Sequence, residues 1–99
     1  MNQKKYSHLF RKKLDKLKGK ELRNVLNKRD EILLCTDLDH YKNLKQHLSK
    51  YKRVHVNNSY VILFYGADGI VYFVDYAHHD DVYRHSKKYL RKYNNLQFE

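Results

Sequence analysis

Ninety-nine residues, 41% of them hydrophobic, can close one small core but not two, so residues 1–99 read as a single domain and wholesale disorder is excluded. The 21 Lys and Arg outnumber the 11 Asp and Glu and leave a formal charge of +10, which points to a polyanion or an acidic protein as partner. The single cysteine, Cys35, rules out an internal disulfide, and no apolar run approaches the roughly 20 residues needed to span a bilayer. The opening "MNQKKYSHLF" has no apolar segment of the secretory kind, so the chain is expected to be cytoplasmic, away from any membrane.

From Ser7 to Lys18, Phe10, Leu14 and Leu17 recur at helical spacing and predict a first helix. Lys12, Lys13, Lys16, Lys18 and Lys20 are expected to be solvated, touching RNA without specificity. Gly19 interrupts the pattern. Leu22, Val25, Leu26, Ile32 and Leu33 then give a second amphipathic stretch up to about Cys35. Neither stripe can be buried alone, so the two predict a helical hairpin packed on a sheet.

The period then changes. "KRVHV" (52–56), "YVILFY" (60–65) and "IVYFVDY" (70–76) are rich in β-branched and aromatic residues, as strands are. The links "NNS" (57–59) and "GADG" (66–69) are short and turn-forming, so an antiparallel meander is expected. The middle run is apolar at every position, which suits a strand covered on both faces. In the first run Arg53 and His55 share one face, and Val54 and Val56 share the other. Beyond Asp80, expected as a helix N-cap, a C-terminal helix would carry Tyr83, Leu90 and Tyr93 along one side. Arg84, Lys87, Lys88, Arg91 and Lys92 would surround it. The fold class is therefore α+β.

The stretch "YAHHDDVYRH" (76–85) crowds imidazole, carboxylate and phenol together. A zinc site is disfavoured: adjacent histidines on a strand diverge, Cys35 has no CxxC partner, and no HExxH occurs. No metal or cofactor is expected. His78 would point away from His79 if the strand continued, and Asp81 could hold a histidine in one tautomer. Tyr60, Tyr65, Tyr72 and Tyr76 lie in strands, where packing accounts for most of them.

The order of these features resembles the RelE/ParE superfamily of small toxins, and within it the YafQ-type branch. "LKQHL" (44–48) matches the histidine that this branch has before the sheet, at His47. "RVHVNNSYVILFY" matches its next strand at Arg53, His55 and Tyr60, and His79 followed by Tyr83 matches its last. The likeness spans about residues 7–84, and the family's first strand would fit into Met1–Tyr6. The chain departs from the pattern at Asn58 and Ser59, where the branch has a functional acid, and near Tyr60, where the broader family has an arginine.

The resemblance implies a toxin of a toxin–antitoxin pair that cleaves mRNA on the ribosome, by attack of a 2′-hydroxyl on the adjacent phosphate. It assigns proton transfer to His55 and His79 with His47 assisting, without saying which is acid and which is base. Histidine suits either role, with an unperturbed pKa of about 6.5. Lys52 and Arg53 would stabilise the phosphate, Arg84, Lys87 and Lys88 would bind RNA, and Tyr83 would orient a base or the backbone. The implied partners are an acidic antitoxin, the ribosome and mRNA. Two other readings stay open: a ParE-like inhibitor of DNA gyrase that binds without catalysis, and an inactive basic RNA-binding module.

Overall fold

A computed structural model describes residues 2–99, leaving Met1 of the expected first strand outside it. In chain order the elements are β1 (Gln3–Tyr6), α1 (His8–Lys16), α2 (Gly19–Leu34), two 3-10 turns (Leu38–His40 and Gln46–Leu48), β2 (Lys52–Val56), β3 (Tyr60–Ala67), β4 (Ile70–His78), α3 (His79–Arg84) and α4 (Ser86–Tyr93). The sheet order is β1-β4-β3-β2. β2, β3 and β4 form the expected antiparallel meander. β1 pairs with β4 in parallel, so the four-stranded sheet is mixed.

Both faces of β3 are covered, which is why its apolar run is unbroken. Val61, Ile62, Leu63 and Phe64 have no exposed surface. Ile62 and Phe64 join Phe10 of α1 and Val25 and Ile32 of α2 in one cluster. Val61 and Leu63 join Leu48, Val82 and Tyr93 in a second cluster on the opposite face. Each such side chain stabilises the fold by about 1.5–3 kcal/mol relative to exposure. The helices are held by the sheet, α1 against β4 and α2 against β2. The connection after α2 passes from one face to the other: Leu38 and Tyr41 pack on the first cluster, Leu44 and Leu48 in the second.

Beyond the end of β1 the edge of β4 is closed by α1. The Ser7 hydroxyl accepts the Phe10 N–H at 3.0 Å, capping α1, and donates to the Val74 carbonyl. Lys13, expected among the solvated lysines, turns inward instead. Its ammonium donates to Asp75 Oδ1 at 2.6 Å and to the Tyr76 carbonyl at 2.8 Å. Asp75 is fully buried, and a buried carboxylate needs such a partner.

The C-terminal segment differs from the single helix expected. It breaks at His85, whose backbone (φ −121°, ψ 42°) is not helical, so the phase of the pattern changes there. Val82 and Tyr93 are buried, whereas Tyr83 is 46% exposed. Among the described residues no helix is long and apolar enough to cross a membrane.

Candidate functional site

The site begins at the β2–β3 turn. Asn57 (φ 52°) and Asn58 (φ 64°) both adopt the left-handed backbone that asparagine tolerates, within a three-residue link. Asn57 is tied down by three contacts. Its amide nitrogen donates to the Tyr76 hydroxyl at 3.0 Å and to the Glu21 carbonyl at 3.1 Å, and its oxygen accepts from Asn24 at 2.8 Å. Tyr76 in turn donates to Glu21 Oε2 at 3.1 Å; burial, reinforced by that carboxylate, pushes its phenol up to about 12.

The turn presents the Ser59 carbonyl, which accepts the His79 N–H at 2.8 Å. β-pairing ends at Tyr60 opposite His78, and α3 starts at the next residue. The cap of α3 is therefore His78, whose Nδ1 accepts the Asp80 N–H at 3.2 Å. Asp80, the expected cap, lies in the first turn because the strand ends two residues before it. There it faces His79: its Oδ1 is 2.9 Å from His79 Nδ1. The carboxylate beside a histidine is thus Asp80 rather than Asp81. His78 does not diverge from His79; the rings stack at 5.1 Å with an interplanar angle of 23°.

The alternation of β2 sets the other half. Val54 and Val56 pack with the α1–α2 cluster, while Arg53 and His55 reach the opposite face. The His55 and His79 rings lie 5.7 Å apart. His79 also meets Tyr83 at 5.8 Å, and the Arg53 guanidinium lies 5.8 Å from the Tyr83 ring centre. Arg53, His55, His79 and Tyr83 are therefore brought together from β2 and α3. Partial burial, the Arg53 charge and the facing His79 all disfavour protonation of His55 and lower its pKa below 6.5.

Two depressions extend the site. The first, of about 350 Å³, is lined by Arg53, Tyr83, Gln46 and Ser86 among others. The second, of about 470 Å³, shares Gln46 and Ser86 and is walled by His47, Arg84, Lys87 and Lys88. His47 thus sits with the basic residues of α3 and α4, apart from the His55–His79 pair. His85 and Arg91 complete that wall. Sequence reasoning passed over Gln46 and His85; the signal available for His85 was its place within a helical run of cations.

Lys52 is not part of the arrangement. It lies on the other face of β2 from Arg53, and its ammonium donates to Asn43 Oδ1 at 3.0 Å and to the Tyr41 carbonyl at 3.3 Å. Asp39 lies 3.5 Å from it. Among the described residues no group of three or more His, Cys, Asp or Glu side chains is arranged to hold a metal ion.

No family model matches the chain. A Methanocaldococcus jannaschii protein named as a RelE toxin, RelE4, is 40% identical over 77 residues, covering 76% of this chain and 80% of its own length. An uncharacterized Methanosarcina mazei protein is 40% identical over 73 residues, covering 72% and 83%. Among solved structures, Escherichia coli YafQ superposes with a TM-score of 0.62 at 18% identity, over 84% of this chain and 99% of that one. A conserved hypothetical protein of Helicobacter pylori superposes with a TM-score of 0.54 at 18% identity, over 81% and 97%. These last two likenesses concern the fold.

Proposed function

The chain belongs to the RelE toxin family, and from that premise we propose that it cleaves messenger RNA on the ribosome as the toxin half of a toxin–antitoxin pair. One observation carries the reading: the His55 and His79 rings meet edge to face at 5.7 Å, with the Arg53 guanidinium over the adjoining Tyr83 ring. Two imidazoles at that separation can serve the entering and leaving oxygens of one phosphate.

In the proposed reaction the neutral His55 takes the proton of a ribose 2′-hydroxyl. Its lowered pKa keeps it in the form that can accept one. The 2′-oxygen attacks the adjacent phosphorus and forms a new P–O bond, while the bond to the 5′-oxygen of the next nucleotide breaks. His79 supplies the proton to that leaving oxygen. Arg53 offsets the charge that builds on the phosphate, and Tyr83, half exposed, is free to stack against a base. Arg84, Lys87 and Lys88, with His47 among them, hold the strand further along through its phosphates. Action on the ribosome implies a cytoplasmic protein, with residues 1–99 working as one domain.

The test is incubation of the purified protein with mRNA-programmed ribosomes, with a gyrase supercoiling assay in parallel. Cleaved message is the expected result. Intact message together with inhibited supercoiling would overturn the proposal.

A further inference from the structure

Asp80 is adjacent in sequence to His79, and its carboxylate lies against one ring nitrogen. Its Oδ1 approaches Nδ1 of the imidazole at 2.9 Å. The rest of His79 is also held. Its N–H is bonded to the Ser59 carbonyl, and its ring lies between His78 at 5.1 Å and Tyr83 at 5.8 Å. Asp80 is anchored in its turn, because its own N–H is bonded to His78 Nδ1. The first turn of α3 also favours a negative charge there.

We propose that Asp80 is a positioning residue that fixes His79 as the Nδ1–H tautomer and so leaves Nε2 as the nitrogen that exchanges a proton with substrate. A neutral imidazole has one N–H, and the partner of one nitrogen decides the role of the other. A carboxylate only accepts, so at 2.9 Å it selects a protonated Nδ1. Nε2 then carries the proton that passes to the leaving oxygen, while Nδ1–H stays on Asp80 throughout. The charged and titratable groups around the pair are His55 from β2, with Arg53 beyond it, His78 at the end of β4 and Tyr83 of α3. Half of the Asp80 side chain is exposed, so its effect lies in its close approach to Nδ1 more than in its net charge.

The inference rests on His79 taking part in proton transfer, and its test has a readout independent of cleavage. Long-range nitrogen–proton correlation spectra, recorded above the range where imidazole titrates, report which ring nitrogen of His79 carries hydrogen. The expected result is Nδ1–H in the native protein, a shift toward Nε2–H in Asp80→Ala, and return of Nδ1–H in Asp80→Glu. With programmed ribosomes, Asp80→Ala should lower kcat by about 10²-fold, the lower end of what proton-transfer catalysis contributes, with KM unchanged. Asp80→Glu should recover most of that loss. The same tautomer in the native protein and Asp80→Ala, or a changed tautomer with unchanged kcat, would overturn the inference. If the native protein cleaves nothing, the proposed function fails, and the spectra alone decide whether Asp80 sets the tautomer.

Discussion

Tyr93 donates its hydroxyl hydrogen to Asp75 Oδ2 at 2.6 Å, within the buried second cluster. The same carboxylate accepts from Lys13 at 2.6 Å and from the Tyr76 N–H at 2.8 Å, so α1, β4 and α4 share one buried charge. Tyr93→Phe keeps the ring and removes one hydrogen bond to a charged acceptor. It should cost about 1.5–3 kcal/mol. Lys13→Ala should cost more, about 3 kcal/mol or above, because it strips the buried carboxylate of its countercharge. Urea denaturation measures both, and a Tyr93→Phe variant as stable as the native protein would refute the account.

The buried phenols make stability depend on alkaline pH. Burial raises Tyr93, and the adjacent Asp75 charge raises it further; burial first and then Glu21 raise Tyr76 to about 12. A folded value above the unfolded 10.0 means that stability is fully present below pH 10 and is lost as pH rises through the folded value. The urea midpoint should therefore fall progressively above about pH 10. Tyr76→Phe should flatten part of that fall; an identical slope in the variant would show that Tyr76 contributes none of it.

The three strands of the meander were legible because their side chains are unambiguous: "KRVHV" has no competing helical reading, and β2 spans Lys52–Val56 as expected. β1 was not legible by pattern. Gln3, Lys4 and Lys5 are exposed and polar, and the strand exists because β4 offers it a parallel edge. The resemblance implies His47, His55 and His79 on one face; His55 and His79 do meet, whereas His47 lines the basic depression with Arg84 and Lys87. The exclusion of Lys52 was legible too, since a period of 2 places it with Val54 rather than with Arg53. What no periodicity could reveal was the break at His85, or the inward turn of Lys13 toward a carboxylate 62 residues away.

Activity should fall on the acidic side as His55 gains a proton. Its lowered pKa puts the limb of kcat/KM below pH 6.5, since the base works in its neutral form. Arg53→Ala removes a neighbouring positive charge and should move that limb to higher pH, whatever it does to the rate itself. His55→Ala and His79→Ala should each lose roughly 10²–10⁴-fold in cleavage. Ribosome binding should survive, because one imidazole is a small part of a contact made by many cations. A limb that stays put in Arg53→Ala would deny His55 the role of base.

Cleavage should persist without zinc. In the proposed reaction the imidazoles of His55 and His79 would supply acceptor and donor, and Arg53 the positive charge that a metal ion would otherwise bring to the phosphate. The measurement is message cleavage with a chelator selective for zinc, at magnesium levels that keep ribosomes assembled. Loss of cleavage that added zinc restores would count decisively against this mechanism.

The antitoxin that a toxin of this family implies should be acidic and should associate at a rate that falls with salt. A net charge of +10 on 99 residues attracts any polyanion. Arg84, Lys87, Lys88 and Arg91, with His47 and His85, line one open depression. An acidic segment seated there would cover the surface that the proposed function gives to the RNA strand. Charge attraction between exposed groups is screened over about 8 Å at physiological ionic strength, so it governs the encounter more than the final complex. Apolar contacts, with Tyr83 and the exposed Leu34 available to make them, should hold the complex once formed. The association rate measured across a salt series, with the product of the neighbouring gene, should therefore drop steeply while dissociation changes little. Charge-reversed Lys87→Glu and Lys88→Glu together should flatten that dependence. A rate indifferent to salt would remove the electrostatic half of this account.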